Sequence, residues 1–194
     1  SAMEDALPEG AEVLNFVIND LESLLIDGVA GAASIKIVEA GPIGNVLGSE
    51  DFESFPSGTG LANGWTNEAT APGVWTADSG GMYLYREASS HTNEQADLTS
   101  PTIDLSGISE ATVEFYYHMY GSAMGELRVD VFSGGSWHLD VMPALVGPQQ
   151  FANGDPWARA RFDVSPYTTA DFKVRFRSTT GSSFRSDMAI DDFS

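Results

Sequence analysis

The alternation of apolar and polar positions predicts β-strands along most of the chain from Ser49 onward. The clearest segments are Thr112–Tyr120, dense in aromatic and β-branched side chains, and Glu126–Val131, which alternates strictly between polar and apolar residues. Successive side chains of a strand point to opposite faces, so each segment has one face suited to a core and one suited to water. Because Gly121 and Gly125 lie between them, we predict a long hairpin within an antiparallel sheet.

Similar alternating segments recur at short intervals, separated by turns rich in Gly, Pro, Asn and Ser. Many short strands with regular turn signals are typical of a β-sandwich or jelly roll. The predicted fold class is therefore all-β, a jelly-roll β-sandwich of two antiparallel sheets. The further predicted strands are Gly81–Glu87, Ala96–Ile103, Trp137–Val141, Trp157–Val164, Asp171–Ser178 and Met188–Phe193.

The N-terminal quarter of the chain has a different pattern. Apolar residues in Ala11–Ile26 have helical spacing, which favours a short amphipathic helix; strands are the alternative, because part of this segment is β-like. Ser34–Glu39 has the pattern of a short strand. We divide the chain into residues 1–3, interpreted as a cloning scar, residues 4–48, a flanking segment that is either a helix or an extra strand, and residues 49–194, the jelly-roll domain.

Three motifs follow one another in this chain. Asp51–Glu53 reads Asp-Phe-Glu, Phe115–Leu127 reads Phe-Tyr-Tyr-His-Met-Tyr-Gly-Ser-Ala-Met-Gly-Glu-Leu, and Asp187–Phe193 reads Asp-Met-Ala-Ile-Asp-Asp-Phe. In this order they resemble the opening, central and closing signatures of the MAM domain family of extracellular jelly-roll adhesion modules. A weaker likeness exists to the bacterial cleaved-adhesin domains. The resemblance implies a jelly-roll fold and a role in adhesion.

The composition argues against several classes of partner and chemistry. Among 194 residues, Asp and Glu number 28, Lys and Arg 9, and the formal net charge is −19. No basic stripe is visible, so nucleic acid is not an expected partner, and no apolar run is long enough to insert into a membrane. The chain has no Cys, which removes disulfides and thiolate chemistry. Since animal members of the family usually carry disulfides, the resemblance is to a bacterial version.

Acidic residues near both ends of the predicted domain are candidate ligands for a calcium ion. Asp51 and Glu53 point to the same face of a strand, and Asp191 and Asp192 end the last strand. Strands distant in sequence lie side by side in a jelly roll, so these carboxylates converge if the first and last strands are neighbours. Oxygen ligands suit calcium rather than zinc, although sodium remains an alternative. The resemblance implies a cation held by these residues, and Asp78 is a further candidate ligand from a loop. The competing interpretation is that Asp51 and Asp192 cap turns or face solvent.

No catalytic residues are predicted. The sequence contains neither Gly-x-Ser-x-Gly nor His-Glu-x-x-His, and His91, His118 and His138 do not have the spacing of a zinc site. Trp65 and Trp75 flank a loop and are candidate rings for stacking on a sugar. Trp137 and Trp157 resemble family positions used for packing.

We therefore expect a non-catalytic extracellular adhesion or recognition module of a larger secreted or cell-surface protein, stabilised by calcium. Its partners would be another protein, a second copy included, or a glycan. The alternative is a carbohydrate-binding module attached to a secreted hydrolase.

Overall fold

The computed structural model describes residues 26–29, 32–35, 46–80 and 82–194. The chain divides into two compact units, Ser1–Asn45 and Val46–Ser194.

In the first unit, β1 (Ile26–Val29) pairs antiparallel with β2 (Ala32–Ile35). The predicted strand at Ser34–Glu39 shares Ser34 and Ile35 with β2, and its other residues lie outside the described ones. The helix predicted over Ala11–Ile26 also lies outside them, except for Ile26, which belongs to β1.

The second unit is built almost wholly of strands. The short 3-10 helix Ser165–Tyr167 is its one helical segment within the described residues. Its strands are β3 (Thr66–Asn67), β4 (Thr76–Ala77), β5 (Leu84–Arg86), β6 (Gln95–Thr99), β7 (Thr112–Met119), β8 (Glu126–Ser133), β9 (Ser136–His138), β10 (Leu145–Val146), β11 (Ala158–Asp163), β12 (Lys173–Thr179) and β13 (Met188–Asp191).

These strands form two antiparallel sheets. One is six-stranded with the order β10-β8-β12-β6-β3, and β9 pairs with β8; the other is five-stranded with the order β11-β7-β13-β5-β4. The prediction of an all-β sandwich of two antiparallel sheets is confirmed. Neighbours in each sheet are mostly distant in sequence, as a jelly roll requires.

The predicted hairpin is wrong. β7 pairs with β11 and β13 in the five-stranded sheet, whereas β8 pairs with β12, β9 and β10 in the six-stranded sheet. The chain crosses between sheets at Gly121–Gly125. At Gly125 a Cβ would collide with the carbonyl oxygen of Thr179, so the crossing needs glycine there. The buried Ser186 hydroxyl accepts the N–H groups of Gly125 and Gly181, which fixes the two backbones against each other.

The core lies between the sheets and is rich in aromatic rings. Val113, Phe115, Tyr117 and Met119 of β7 are buried, as their alternation predicts. The ring of Phe115 is tilted against the ring of Tyr117 and edge-on to that of Phe176, and edge-on packing is favourable for aromatic pairs. Its nearest ring contact is with Phe176 of β12, with centroids 4.8 Å apart.

The two ends of the second unit lie side by side. The N–H of Glu50 donates to the carbonyl of Phe193 at 2.8 Å, and the N–H of Phe193 donates to the carbonyl of Glu50 at 3.0 Å. This antiparallel bridge brings the residues after Glu50 close to those before Phe193. Asp51 and Glu53 lie outside any strand, so the two ends meet through this single bridge and not through neighbouring first and last strands.

Candidate functional site

The bridge between Glu50 and Phe193 gathers four of the predicted metal ligands at one end of the sandwich. The pKa of Asp191 is raised to about 6, first by burial and in smaller part by the charges of Asp192, Glu53 and Asp51, against a hydrogen bond from the N–H of Asp192. Like charges act on one another in this way only at short range. Asp51, Glu53 and Asp192 are exposed, and Asp191 is half-buried.

The carboxylates at this end are partly used by their own backbone. Oδ1 of Asp51 accepts the N–H of Glu53 at 3.1 Å, and Oδ1 of Asp191 accepts the N–H of Asp192 at 2.8 Å. Across residues 46–80 and 82–194, no three His, Asp or Glu side chains are arranged close enough to hold a metal ion. These residues are therefore neighbours, but not an assembled coordination sphere.

Asp78 has a different environment from the other four. It follows β4, where its Oδ2 accepts the N–H of Gly80 at 3.0 Å. Its backbone N–H donates to the carbonyl of Tyr83, which extends the pairing of β4 with β5. The structure thus places Asp78 in the turn after β4, where its carboxylate caps the N–H of Gly80.

The expectation that Trp65 and Trp75 form a sugar platform is corrected by the structure. They are only 3% and 0% exposed, so neither ring offers a face to a ligand. Trp65 packs against the rings of Phe52 and Phe193 at 5.2 and 5.1 Å. Trp75 donates its Nε1–H to the carbonyl of Ala96 at 3.3 Å. Flanking a loop did not indicate exposure, because both indole rings belong to the core between the sheets.

The outer faces of the two sheets differ in chemistry. On the six-stranded sheet, the buried carboxylate of Asp130 forms ion pairs with Arg175 and Arg177. Arg177 also forms an ion pair with Asp140 at 2.9 Å. Arg175 in turn lies over the ring of Trp137, 4.0 Å from its centroid. This face is a network of ion pairs whose charges are already satisfied within the protein.

The outer face of the five-stranded sheet instead carries a groove of about 1000 Å³. Its walls come from β5, β7 and β13, from the loop after β10 and from the loop before β13. Aromatic side chains are frequent in it, and two loop residues at its edge, Phe151 and Phe184, are 98% and 61% exposed. The aromatic residues that line it are Tyr83, Tyr85, Tyr120, Phe151, Trp157 and Phe184.

Strand register explains how the groove arises. Ala189 of β13 pairs with Tyr85 of β5 on one side and with His118 of β7 on the other. Trp157 precedes Ala158, the partner of Tyr117, so it lies at the level of His118, and the two rings are 5.6 Å apart. The small side chain of Ala189 therefore leaves a trough between larger rings.

One polar atom among the residues that line the groove, Nε2 of His118, has no hydrogen bond to the described part of the protein. This atom is buried. Burial lowers the pKa of His118, although the charge of Asp155 and a hydrogen bond with the Asp155 backbone act in the opposite direction. The lowered pKa favours the neutral imidazole, and Nε2 is a buried polar atom that the described part of the chain leaves without a hydrogen bond.

Sequence reasoning missed this groove. The alternation in Thr112–Met119 did place His118 on the outer face, and Tyr83 and Tyr85 alternate with the buried Leu84 and Arg86. That signal was present in the sequence, but the adjacency of β5, β13, β7 and β11 depends on pairings between distant segments. Trp157, predicted to serve packing, is half-buried and lines the groove.

Comparison with known proteins agrees with the fold. MAM domain-containing glycosylphosphatidylinositol anchor protein 1 of Gallus gallus is 32% identical over 114 residues, which are 58% of this chain and 11% of that protein. Thyroid hormone-induced protein B of Xenopus laevis is 32% identical over 114 residues, 58% of this chain and 16% of that protein. The chain thus spans only a small part of these curated relatives.

Among solved structures, the K1 cleaved adhesin domain of Lys-gingipain from Porphyromonas gingivalis W83 has a TM-score of 0.54 at 16% identity, covering 75% of this chain and 94% of that one. The K3 domain of the same protein has a TM-score of 0.55 at 16% identity, covering 76% and 95%. At such low identity, these structures support the fold alone.

The family model described as MAM domain, meprin/A5/mu, matches residues 57–194, which include β3 to β13 and the groove. The match begins after Asp51 and Glu53. We conclude from the sandwich fold, the central and closing motifs and this match that the chain belongs to the MAM domain family.

Proposed function

We propose that this chain is a non-catalytic recognition module that serves adhesion outside the cell, as part of a larger secreted or cell-surface protein. The observation that carries the proposal is the open, aromatic-lined groove on a domain of the MAM family. Sites of recognition are commonly concave, with aromatic walls and a few polar groups. Relatives named as glycosylphosphatidylinositol anchor proteins support a place at the cell surface.

The surroundings of the histidines support a role other than catalysis. Nδ1 of His91 pairs with the carboxylate of Glu94 at 2.6 Å, and Nε2 of His138 is 3.4 Å from the carbonyl oxygen of Ser133. His118 packs against the ring of Trp157. Nucleophilic catalysis by Ser requires a base within hydrogen-bond reach of its hydroxyl, and these contacts are of another kind.

Within the described residues, no helix has the length and apolarity needed to cross a bilayer.

The adhesive role is tested with fluorescent beads coated with this chain. We expect such beads to aggregate with one another, or to be retained on immobilised mucin or fibronectin, several-fold more than beads coated with albumin. Replacing Phe151 by Ser, at the exposed edge of the groove, should weaken retention without changing the melting temperature. Beads that behave like the albumin control on all three surfaces would contradict the proposal.

We also propose that a calcium ion binds at the end where Asp51, Glu53, Asp191 and Asp192 lie. Their donor atoms are all carboxylate oxygens, the ligands calcium prefers, and backbone carbonyls commonly complete such sites. The raised pKa of Asp191 supports the proposal, since a nearby cation would favour the charged form that burial, and in smaller part the neighbouring carboxylates, disfavour. Binding would require the side chains to move closer together than they now stand.

Calcium binding is tested by thermal unfolding in EDTA and in millimolar CaCl₂, with NaCl of equal ionic strength as the comparison. An ion that binds the folded state alone raises the melting temperature by mass action. The rise should disappear in Asp191→Asn and persist in Glu110→Gln, which removes one exposed carboxylate before β7. If calcium and NaCl give equal melting temperatures in the unsubstituted chain, the proposal fails; a rise with NaCl alone would assign the site to sodium.

A further inference from the structure

The groove on the five-stranded sheet has the chemistry of a site for a sugar chain. It alternates flat aromatic surface with polar atoms, as a pyranose alternates C–H faces with hydroxyl groups. The ring of Tyr83 meets Trp157 with centroids 5.5 Å apart and Tyr85 with centroids 6.2 Å apart. All three half-buried rings line the groove, and the negative charge density of an aromatic face attracts the polarised C–H groups of a sugar.

The polar atoms of the groove indicate which chemical groups a ligand would need. Gln150 is occupied, because its Oε1 accepts the N–H of Met119 and its Nε2 donates to the carbonyl of Tyr117. The buried Nε2 of His118, in contrast, has no partner in the described part of the chain. A buried polar atom without a partner is costly, and a ligand hydroxyl would supply the missing hydrogen bond once the imidazole turns Nε2 toward the groove.

The volume of the groove and the net charge of the protein favour a neutral oligosaccharide as the ligand. The volume of about 1000 Å³ lies at the upper end of the range of roughly 300–1,000 Å³ for small-molecule sites, which suits several sugar rings better than one. The net charge of −19 disfavours an anionic glycan through long-range repulsion. Within the lining, Arg185 and Asp187 carry opposite charges, so the groove itself has no excess positive charge that would favour an anion.

The opposite sheet is a poorer candidate for the same ligand. Its half-buried Trp137 lies between Arg175, 4.0 Å from its ring, and the ring of Phe132 at 5.3 Å. The guanidinium of Arg175 therefore already occupies one face of that tryptophan. Trp137 provides a control of the same residue type on the other sheet.

We propose that the trough between Tyr85, His118 and Trp157, floored by Ala189, binds a neutral oligosaccharide. The inference rests on the proposed recognition function and names its ligand class. Rings of Tyr85 and Trp157 stack on successive sugars, Nε2 of His118 exchanges a hydrogen bond with a hydroxyl, and the small Ala189 leaves room for the chain. A protein ligand for the same groove is the competing outcome.

The test is isothermal titration of the chain with neutral hexasaccharides of glucose, mannose, xylose, galactose and N-acetylglucosamine. We expect at least one to bind with a Kd of about 10 µM to 1 mM, a range usual for weak recognition. Trp157→Ala and Tyr85→Ala should each weaken binding at least tenfold, because each removes a stacking face. Trp137→Ala should leave the Kd within twofold.

Ala189→Leu keeps every ring and hydroxyl but fills the trough, so it should abolish binding with little change in circular dichroism. It also keeps the inference testable if the ring variants fail to fold. The inference is overturned if no hexasaccharide binds at 5 mM, if the Trp157 and Tyr85 variants bind normally, or if beads adhere through this groove to a protein stripped of glycans. Adhesion of the coated beads without sugar binding would refute only this inference, whereas beads that never adhere would refute the recognition function itself.

Discussion

The carboxylate of Asp130 accepts two hydrogen bonds from the guanidinium of Arg177, from Nε to Oδ2 at 2.7 Å and from Nη2 to Oδ1 at 3.0 Å. Arg175 adds two further hydrogen bonds to Oδ2, and the N–H of Asp140 donates to Oδ1. Burial by itself would raise the pKa of Asp130, but these donors hold that pKa below its ordinary value. In a chain without disulfides, this cluster ties β8 to β12 and to the segment after β9.

Replacing Asp130 by Asn should therefore be strongly destabilising. It would leave two half-buried guanidinium groups without their shared counter-charge, and breaking a buried pair from one side typically costs about 3–5 kcal/mol. Urea unfolding at pH 7 measures the change in the free energy of unfolding. Glu110→Gln, which removes an exposed carboxylate, should stay within about 0.5 kcal/mol of the unsubstituted chain. A loss below about 1 kcal/mol in the Asp130 variant would show that the network contributes little.

Stability should also fall in mild acid because of Glu94. A hydrogen bond from the buried Arg86, at 2.6 Å, lowers the pKa of Glu94; burial opposes this, and His91 adds to the lowering. A carboxyl group whose pKa is lower in the folded state stabilises the fold above its unfolded pKa, near 4.5. That contribution disappears as the pH falls through the lowered folded pKa, when Arg86 loses its charged partner.

We expect the free energy of unfolding to decline as the pH is lowered from about 5 to 3, and to decline less in Glu94→Gln. Urea unfolding at several pH values between 3 and 7 measures both curves. Glu110→Gln serves as the control and should keep the slope of the unsubstituted chain. Parallel curves for the Glu94 variant and the unsubstituted chain would mean that its ion pair does not contribute to acid sensitivity.

The local structure was readable from the sequence, but the strand pairings were not. Alternation located β7 and β8 to within two residues at each end, because burial of one face imposes a period of two on any strand. The same pattern fits a strand in either sheet, since both sheets turn an apolar face to the shared core. The choice between a hairpin and a crossing is made by the backbone around Gly125, which depends on Thr179, far away in sequence.

The unknown strand pairings also decided which candidate sites could be predicted from the sequence. The closing motif and Asp51–Glu53 were expected to meet, and the bridge of Glu50 to Phe193 brings them together. The groove escaped notice because it depends on Ala189 having Tyr85 and His118 as neighbours on adjacent strands. The residue types were visible in the sequence, whereas their adjacency is a property of the sheet order.

The crossing between the sheets provides a sharp test of the topology. A Cβ at Gly125 would meet the backbone of Thr179 and Gly181, which cannot move aside as a flexible side chain would. Gly125→Ala should cost at least about 1–3 kcal/mol, the usual range for overpacking. Gly154→Ala is the matched control, because nothing lies within 4 Å of its added Cβ. Equal unfolding midpoints in urea for the two variants would contradict the crossing described here.

The tryptophans should divide into a buried pair and a half-exposed pair. Trp65 and Trp75 lie in the core, while Trp137 and Trp157 are half-buried. Trp75→Phe keeps a ring in the core but loses the indole N–H bonded to the carbonyl of Ala96. That carbonyl also accepts the hydroxyl of Ser178, so it stays satisfied and the expected cost is about 1 kcal/mol.

Acrylamide quenching of fluorescence measures the division directly. Removing Trp157 should lower the quenchable fraction of the emission, because a ring open to solvent is lost, whereas removing Trp75 should raise it. The Trp75 variant should also retain any hexasaccharide binding of the unsubstituted chain, since its ring lies in the core. Loss of sugar binding in Trp75→Phe, with its melting temperature little changed, would restore the loop tryptophans as the ligand platform and displace the groove.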